Sequence, residues 1–122
     1  NNSFIGGGFW DPNKEDLFRI RKEFELDVEE IQEIENQDTF KNYFGKITGE
    51  ELKTAPKGFD KEHQNIEYIR KKQFLVTRTF TNEEVLSASF EGEIVKTYQA
   101  MLPFFNYMSA VLTTNLNGES LL

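Results

Sequence analysis

The chain of 122 residues has no cysteine, three prolines, one histidine and one tryptophan. Without cysteine there is no disulfide framework and no thiol chemistry, which fits a cytoplasmic protein. No run of about 18 apolar residues occurs, so a membrane-spanning helix is excluded, and the polar start is not that of a signal peptide. Basic residues are the minority, 14 Lys and Arg against 21 Asp and Glu, a formal net charge of −7. That balance argues against nucleic acid as a partner of the chain as a whole. No internal repeat is visible. No Ser-His-Asp constellation and no metal-ligand spacing can be assembled, so neither a metal nor a cofactor is expected.

What is present is a core. Apolar residues make up 38% of the chain and include 12 phenylalanines. This is enough for one ordered domain. The chain turns on its opening stretch, Ser3-Phe4-Ile5-Gly6-Gly7-Gly8-Phe9-Trp10-Asp11-Pro12. A short apolar strand runs into three glycines and two large aromatics. Asp11-Pro12 then reads as a helix cap followed by proline at the first helical position. A glycine run within a strand marks a bulge or a crowded neighbour, and that reading is preferred here. Close approach of a ligand to Gly6, Gly7, Gly8 and Trp10 is the second reading. Neither phosphate-loop signature, G-x-G-x-x-G or G-K-[ST], is present.

Downstream, Leu17, Ile20, Phe24, Val28, Ile31 and Ile34 recur at helical spacing, with a break expected near Asp27. The acids Glu23, Asp27 and Glu30 on this segment read as a solvated face. Asp38 caps a short helix, 39–44, ended by Gly45. Residues 46–59 read as an ordered loop with a few extended residues near Leu52-Lys53. A helix follows from about Asp60 to Lys72, its basic end Arg70-Lys71-Lys72 complementing the helix dipole. Residues 73–80 form the clearest strand, with Arg78 on its more aromatic face. There it either extends to an edge or pairs with an acid or anion. Thr81-Asn82-Glu83-Glu84 is a capping box. Phe90, Ile94, Tyr98, Met101, Phe105, Met108 and Val111 make a helical stripe. Pro103 within it either kinks one helix or opens a second. Asn117-Gly118 is a turn in the tail.

The fold class is therefore α+β, helix-rich, with a small sheet of strands near 3–9 and 73–80. Two strands are a marginal sheet unless other elements complete it. The chain is accordingly expected to be a single domain or half-domain, the C-terminal part of a larger α+β domain.

Charge is unevenly placed. Residues 53–80 carry seven basic residues against three acids, a balance of +4, and the remainder a balance of −11. Lys53, Lys57, His63 and Arg78 could converge, since loop 53–59 leads into the helix that feeds the strand. Such a cluster suits a phosphate or carboxylate, although basic islands of this density are commonly solvated surface. His63, the one histidine, sits beside a predicted helix start, where a structural role is the simpler one.

Several segments also resemble a known family. They are Gly6-Gly7-Gly8-Phe9-Trp10, Leu17-Phe18-Arg19-Ile20-Arg21, Phe44-Gly45, Gly49-Glu50-Glu51-Leu52-Lys53, Ala55-Pro56-Lys57-Gly58-Phe59 with His63, and Glu83-Glu84-Val85-Leu86-Ser87. In order and spacing they resemble the C-terminal half of the bacterial domain of unknown function 2461 family, conserved hypothetical proteins. The chain departs from that pattern at Lys57, where arginine is frequent, and at Gln64, where proline is frequent. The resemblance implies a protein of roughly twice this length, with an arginine-rich R-x-x-R-D-x-R-F signature in the absent N-terminal half. Arg19 and Arg21 do not form it. The resemblance implies no activity.

Two functions of different class follow. One is recognition of an anionic ligand, catalytic only together with the upstream half. The other is an interaction or scaffold module that uses the stripe around Met101–Met108 for self-association or for packing against the missing half. A nucleic-acid role ranks third, since the family's upstream arginines could add a basic face.

Overall fold

A two-stranded antiparallel sheet and one long helix frame the residues described by this computed structural model, 3–122. In chain order, β1 (Ser3–Phe9) is followed by α1 (Lys14–Leu26), α2 (Glu29–Asn36) and α3 (Asp38–Phe44). A long loop leads to the single turn α4 (Ile66–Ile69), then β2 (Phe74–Phe80), the short α5 (Asn82–Val85) and α6 (Phe90–Thr113). The α+β class holds, with β1 and β2 paired from Ser3 opposite Phe80 to Phe9 opposite Phe74.

Strand alternation sends Ile5, Gly7 and Phe9 to the same face as their partners Arg78, Val76 and Phe74. Helix α6 lies across this face. A Cβ on Gly7 would come within 2.7 Å of the Phe105 ring and 3.2 Å of Met101 Sδ. The Phe9 ring meets Phe104 and Phe105 edge-on. At Gly8, φ is 142° and a Cβ would run into the Phe74 carbonyl oxygen, with Leu75 Cα only 2.9 Å away. Glycine is required at Gly8, where backbone already occupies the space of a side chain, and favoured at Gly7, where a ring does.

The core is one cluster to which every long element contributes, with Ile20 and Phe24 from α1, Ile31 from α2, Phe40 from α3, Phe74 and Val76 from β2, and Met101, Phe104 and Met108 from α6. Each fully buried phenylalanine contributes about 2 kcal/mol, against less than about 1 kcal/mol for an exposed ion pair. Packing of these rings therefore sets the arrangement, and the surface charges adapt to it.

Several boundaries differ from the sequence-based expectation. The cap of α1 is Asn13, whose Oδ1 accepts the Asp16 N–H at 2.8 Å, not Asp11. Asn13 prevails because its side chain reaches the third helical N–H. The break near Asp27 is present, and Asp27 Oδ1 accepts the Glu29 N–H. The helix expected over 60–72 is reduced to the four residues of α4, because turns accommodate 60–65. The Arg70-Lys71-Lys72 triplet follows α4, with Arg70 at its C-cap, and its side chains pair with acids. Residues 48–51 run beside the start of β2 through Thr48–Leu75 and Glu51–Lys71 bridges. This places Arg70 2.9 Å from Glu51, Lys71 3.9 Å from Glu51 and Lys72 3.7 Å from Glu50.

Helix α6 is continuous through Pro103. Its buried side consists of Thr97, Met101, Phe104, Tyr107, Met108 and Val111. Tyr98, expected in the core stripe, is 55% exposed instead. The helix is apolar over more than one face, and packing against α1, α2, α3 and β1 together selects which face is buried. The Thr81 capping box is present with both of its hydrogen bonds. Among the described residues, no helix is long and apolar enough to cross a membrane.

Candidate functional site

The residues singled out from the sequence fall into three places. Gly6, Gly7 and Gly8 lie mid-strand in β1, opposite Thr77, Val76 and Leu75. Only Gly6 has room for a side chain, its nearest neighbours being 3.5 Å from a built Cβ. Trp10 lies just past the strand, 56% exposed, beside Pro12 and Leu112.

Arg78 is spoken for. Its guanidinium donates to Thr97 Oγ1 and to Glu93 Oε1, both at 2.9 Å, and stacks 3.8 Å from the Tyr43 ring centre. Of the two expectations for this side chain, pairing with an acid is the one realised. The arginine hydrogen bond holds the Glu93 carboxyl below its ordinary range, and Lys96 acts in the same direction.

Lys53, Lys57 and His63 occupy the loop ahead of α4. The Lys53 and Lys57 side chains are exposed. The Lys53 carbonyl accepts weakly from Arg70, at 3.4 Å. His63 Nδ1 accepts the Asn65 N–H at 3.0 Å, while Asn65 Nδ2 donates to the Phe24 carbonyl. The histidine thus braces the entry to α4 against α1. Leu52 pairs with Arg70, upstream of Phe74, whereas Arg78 lies about 13 Å beyond Phe74 along the strand. Lys53 and Arg78 are therefore at opposite ends of β2 and are not brought together.

A polar concavity lies elsewhere, between the end of α3 and α4. It is a cleft of about 490 Å³ lined by Glu35, Lys41, Lys46, Ile47, Tyr68 and Lys71 among others. Glu35, near the end of α2, closes it. Its Oε2 accepts the Ile47 N–H at 3.0 Å and its Oε1 accepts the Tyr68 hydroxyl at 2.6 Å. Burial, then the Glu35 hydrogen bond and charge, push the Tyr68 phenol well above its ordinary value, so it remains a donor. Lys71 Nζ reaches the Ile47 carbonyl at 3.4 Å with its side chain 14% exposed. No sequence spacing links residues 35, 46 and 68. The one local signal was the basic triplet containing Lys71.

Two further arginines are structural. Arg21 donates to the carbonyls of Ile69 and Lys71, closing α4 onto α1, and burial lowers its pKa. Arg19 donates to the carbonyls of Thr114 and Asn115 and pairs with Glu23, tying the tail to α1.

The last surface feature is an edge. Among the described residues, no backbone pairs with the side of β1 that faces away from β2. Phe4 is 66% exposed on the strand. Val95, Tyr98 and Leu102 form an exposed apolar row along α6. The row continues one turn further into Phe105, the ring that meets Gly7.

A family model described as conserved hypothetical protein, DUF2461, matches residues 1–107. No curated protein and no solved structure matches the chain significantly.

Proposed function

The chain belongs to the DUF2461 family of conserved hypothetical proteins, a family of unknown function, and we propose that it works as a docking module completed by an added β-strand. The observation that carries this reading is the outer edge of β1. Natural edge strands are usually blunted by charge, proline or a covering element. The segment Ser3–Phe9, SFIGGGF, has neither a charge nor a proline, and its outer edge has no paired strand among the described residues. The apolar row Val95, Tyr98 and Leu102 gives an incoming element a surface to bury. Strand addition would supply main-chain hydrogen bonds, and the row would supply side-chain contacts.

The occupant in this reading is the N-terminal half implied by the family resemblance. The test expresses that half from a longer family member as a separate chain and mixes it with this one. Light scattering should report a one-to-one complex, and hydrogen exchange should slow at the alternate β1 amides that point away from β2. A homodimer protected at the same amides would replace the proposed occupant by a second copy. A chain that binds neither the half nor itself overturns the proposal.

A further inference from the structure

We propose that the cleft between α3 and α4 binds a small oxyanion-bearing molecule, a phosphomonoester or a dicarboxylate, through the ammonium groups of Lys41, Lys46 and Lys71. This is independent of strand docking and lies on different elements.

The inference rests on which charges around the cleft are already used. Its lining carries three lysines and three glutamates, which by count alone would cancel. The glutamates, however, are engaged. Both Glu35 oxygens accept hydrogen bonds, from the Ile47 N–H and the Tyr68 hydroxyl. Arg70 NH2 lies 2.9 Å from Glu51 Oε1 and 3.1 Å from Glu67 Oε2, so one guanidinium holds two of the acids. The lysines are not matched in the same way. Among the described residues, Lys41 and Lys46 make no ion pair and no side-chain hydrogen bond, and Lys71 has only a 3.4 Å carbonyl contact and a carboxylate at 3.9 Å. With Arg70 counted, four cations stand against three carboxylates at the cleft, and Lys41 and Lys46 are the two without a carboxylate partner among the described residues.

The shape agrees with a small molecule. A cleft of about 490 Å³ lies within the range of about 300–1,000 Å³ that ligand sites occupy. Tyr68 and Ile47 supply an apolar wall, and Ile47 is itself held by Glu35. The floor is thus preformed, while Lys41 and Lys46 on the rim are exposed and free to close on an anion. A multiply charged oxyanion can accept from several ammonium groups at once, and charge-assisted hydrogen bonds of this kind are the strong ones.

The test is a titration of the folded chain with inorganic phosphate and, in a second arm, with succinate, followed by amide chemical shifts at constant ionic strength, because screening would otherwise mimic weak binding. Saturable shifts are expected at Lys46, Ile47, Tyr68 and Lys71. Lys41→Gln and Lys46→Gln should each weaken binding by about fivefold, the scale of one exposed charge contact. Lys53→Gln and Lys57→Gln, further along the same loop and outside the cleft lining, should leave it unchanged. Saturation in the phosphate arm alone identifies the phosphomonoester class, and saturation by succinate alone the dicarboxylate class. Linear, unsaturated shifts in both arms, or shifts centred on residues 53–57, overturn the proposal.

Discussion

The guanidinium of Arg78 lies 3.8 Å from the centre of the Tyr43 ring, so β2 and α3 meet through a cation over an aromatic face. The same group donates to Thr97 and Glu93 of α6. One side chain therefore joins three elements, and its chemistry is consumed by the fold.

Replacement of Arg78 should accordingly act on stability. Arg78→Met is expected to cost about 2 kcal/mol, from the lost hydrogen bonds and stacking, read as a lowered urea midpoint at unchanged m-value. Arg78→Lys should recover only part of this, because an ammonium cannot make the planar stacked contact. Equal stability of Arg78→Met and the parent chain would remove this role.

The partner carboxylate gives that contact a pH signature. The pKa of Glu93 is lowered on folding, so its contribution is complete above the unfolded value of about 4.3 and is lost as pH falls through the lower folded value. Acid unfolding curves of the parent and of Glu93→Gln should therefore converge at low pH and separate near neutrality. Curves that stay parallel throughout would show that the pair has no such coupling.

Two raised phenols act on the alkaline side. Tyr68 is raised by burial and then by Glu35, and Tyr107 by burial and then by Glu23, Glu30 and Asp27. A phenol raised on folding stabilises fully below its unfolded value of about 10 and ceases to do so as pH rises through the folded one. Tyr68→Phe should cost about 1 kcal/mol at neutral pH, for the lost bond to Glu35, and should blunt the fall in stability above about pH 10. Thermal melts against pH are the measurement.

The three glycines of β1 should respond in graded order. Gly6→Ala meets ordinary contacts at 3.5 Å and is expected to change stability by less than about 0.5 kcal/mol. Gly7→Ala presses on the Phe105 ring, which can give way, at a cost of about 1–3 kcal/mol. Gly8→Ala meets backbone at a φ of 142° and should cost more than about 3 kcal/mol. Any order other than Gly6, Gly7, Gly8 in denaturation midpoints would contradict the packing described.

The exposed row on α6 separates docking from folding. Tyr98→Ser and Leu102→Ser remove apolar surface that is 55% and 51% exposed, so folding stability should move by less than about 1 kcal/mol. Association with the proposed N-terminal partner should weaken at least about tenfold for the pair, since two apolar contacts would be lost. Unchanged association in light scattering would remove the row from the docking surface.

Periodicity and capping chemistry alone determine much of this protein. The alternation of Phe74 to Phe80 makes a strand, Thr81 and Glu84 make a capping box, and the spacing of Ile20, Phe24, Ile31 and Ile34 makes helical faces that are buried. These are local properties, set by which side chains share a face over a few residues. The glycine run was also legible as a sign of crowding, though not the ring and carbonyl that do the crowding.

Only the tertiary structure decided the rest. Helix α6 carries apolar residues on two sides, and its packing against α1, α2, α3 and β1 leaves Met101 and Phe104 buried and Tyr98 and Leu102 exposed. The basic triplet at 70–72 turned to Glu50 and Glu51 because residues 48–51 run beside β2. Glu35, Lys46 and Tyr68 share a cleft although they are far apart in sequence. Such meetings depend on how buried faces pack across the whole chain, and local spacing carries no record of them.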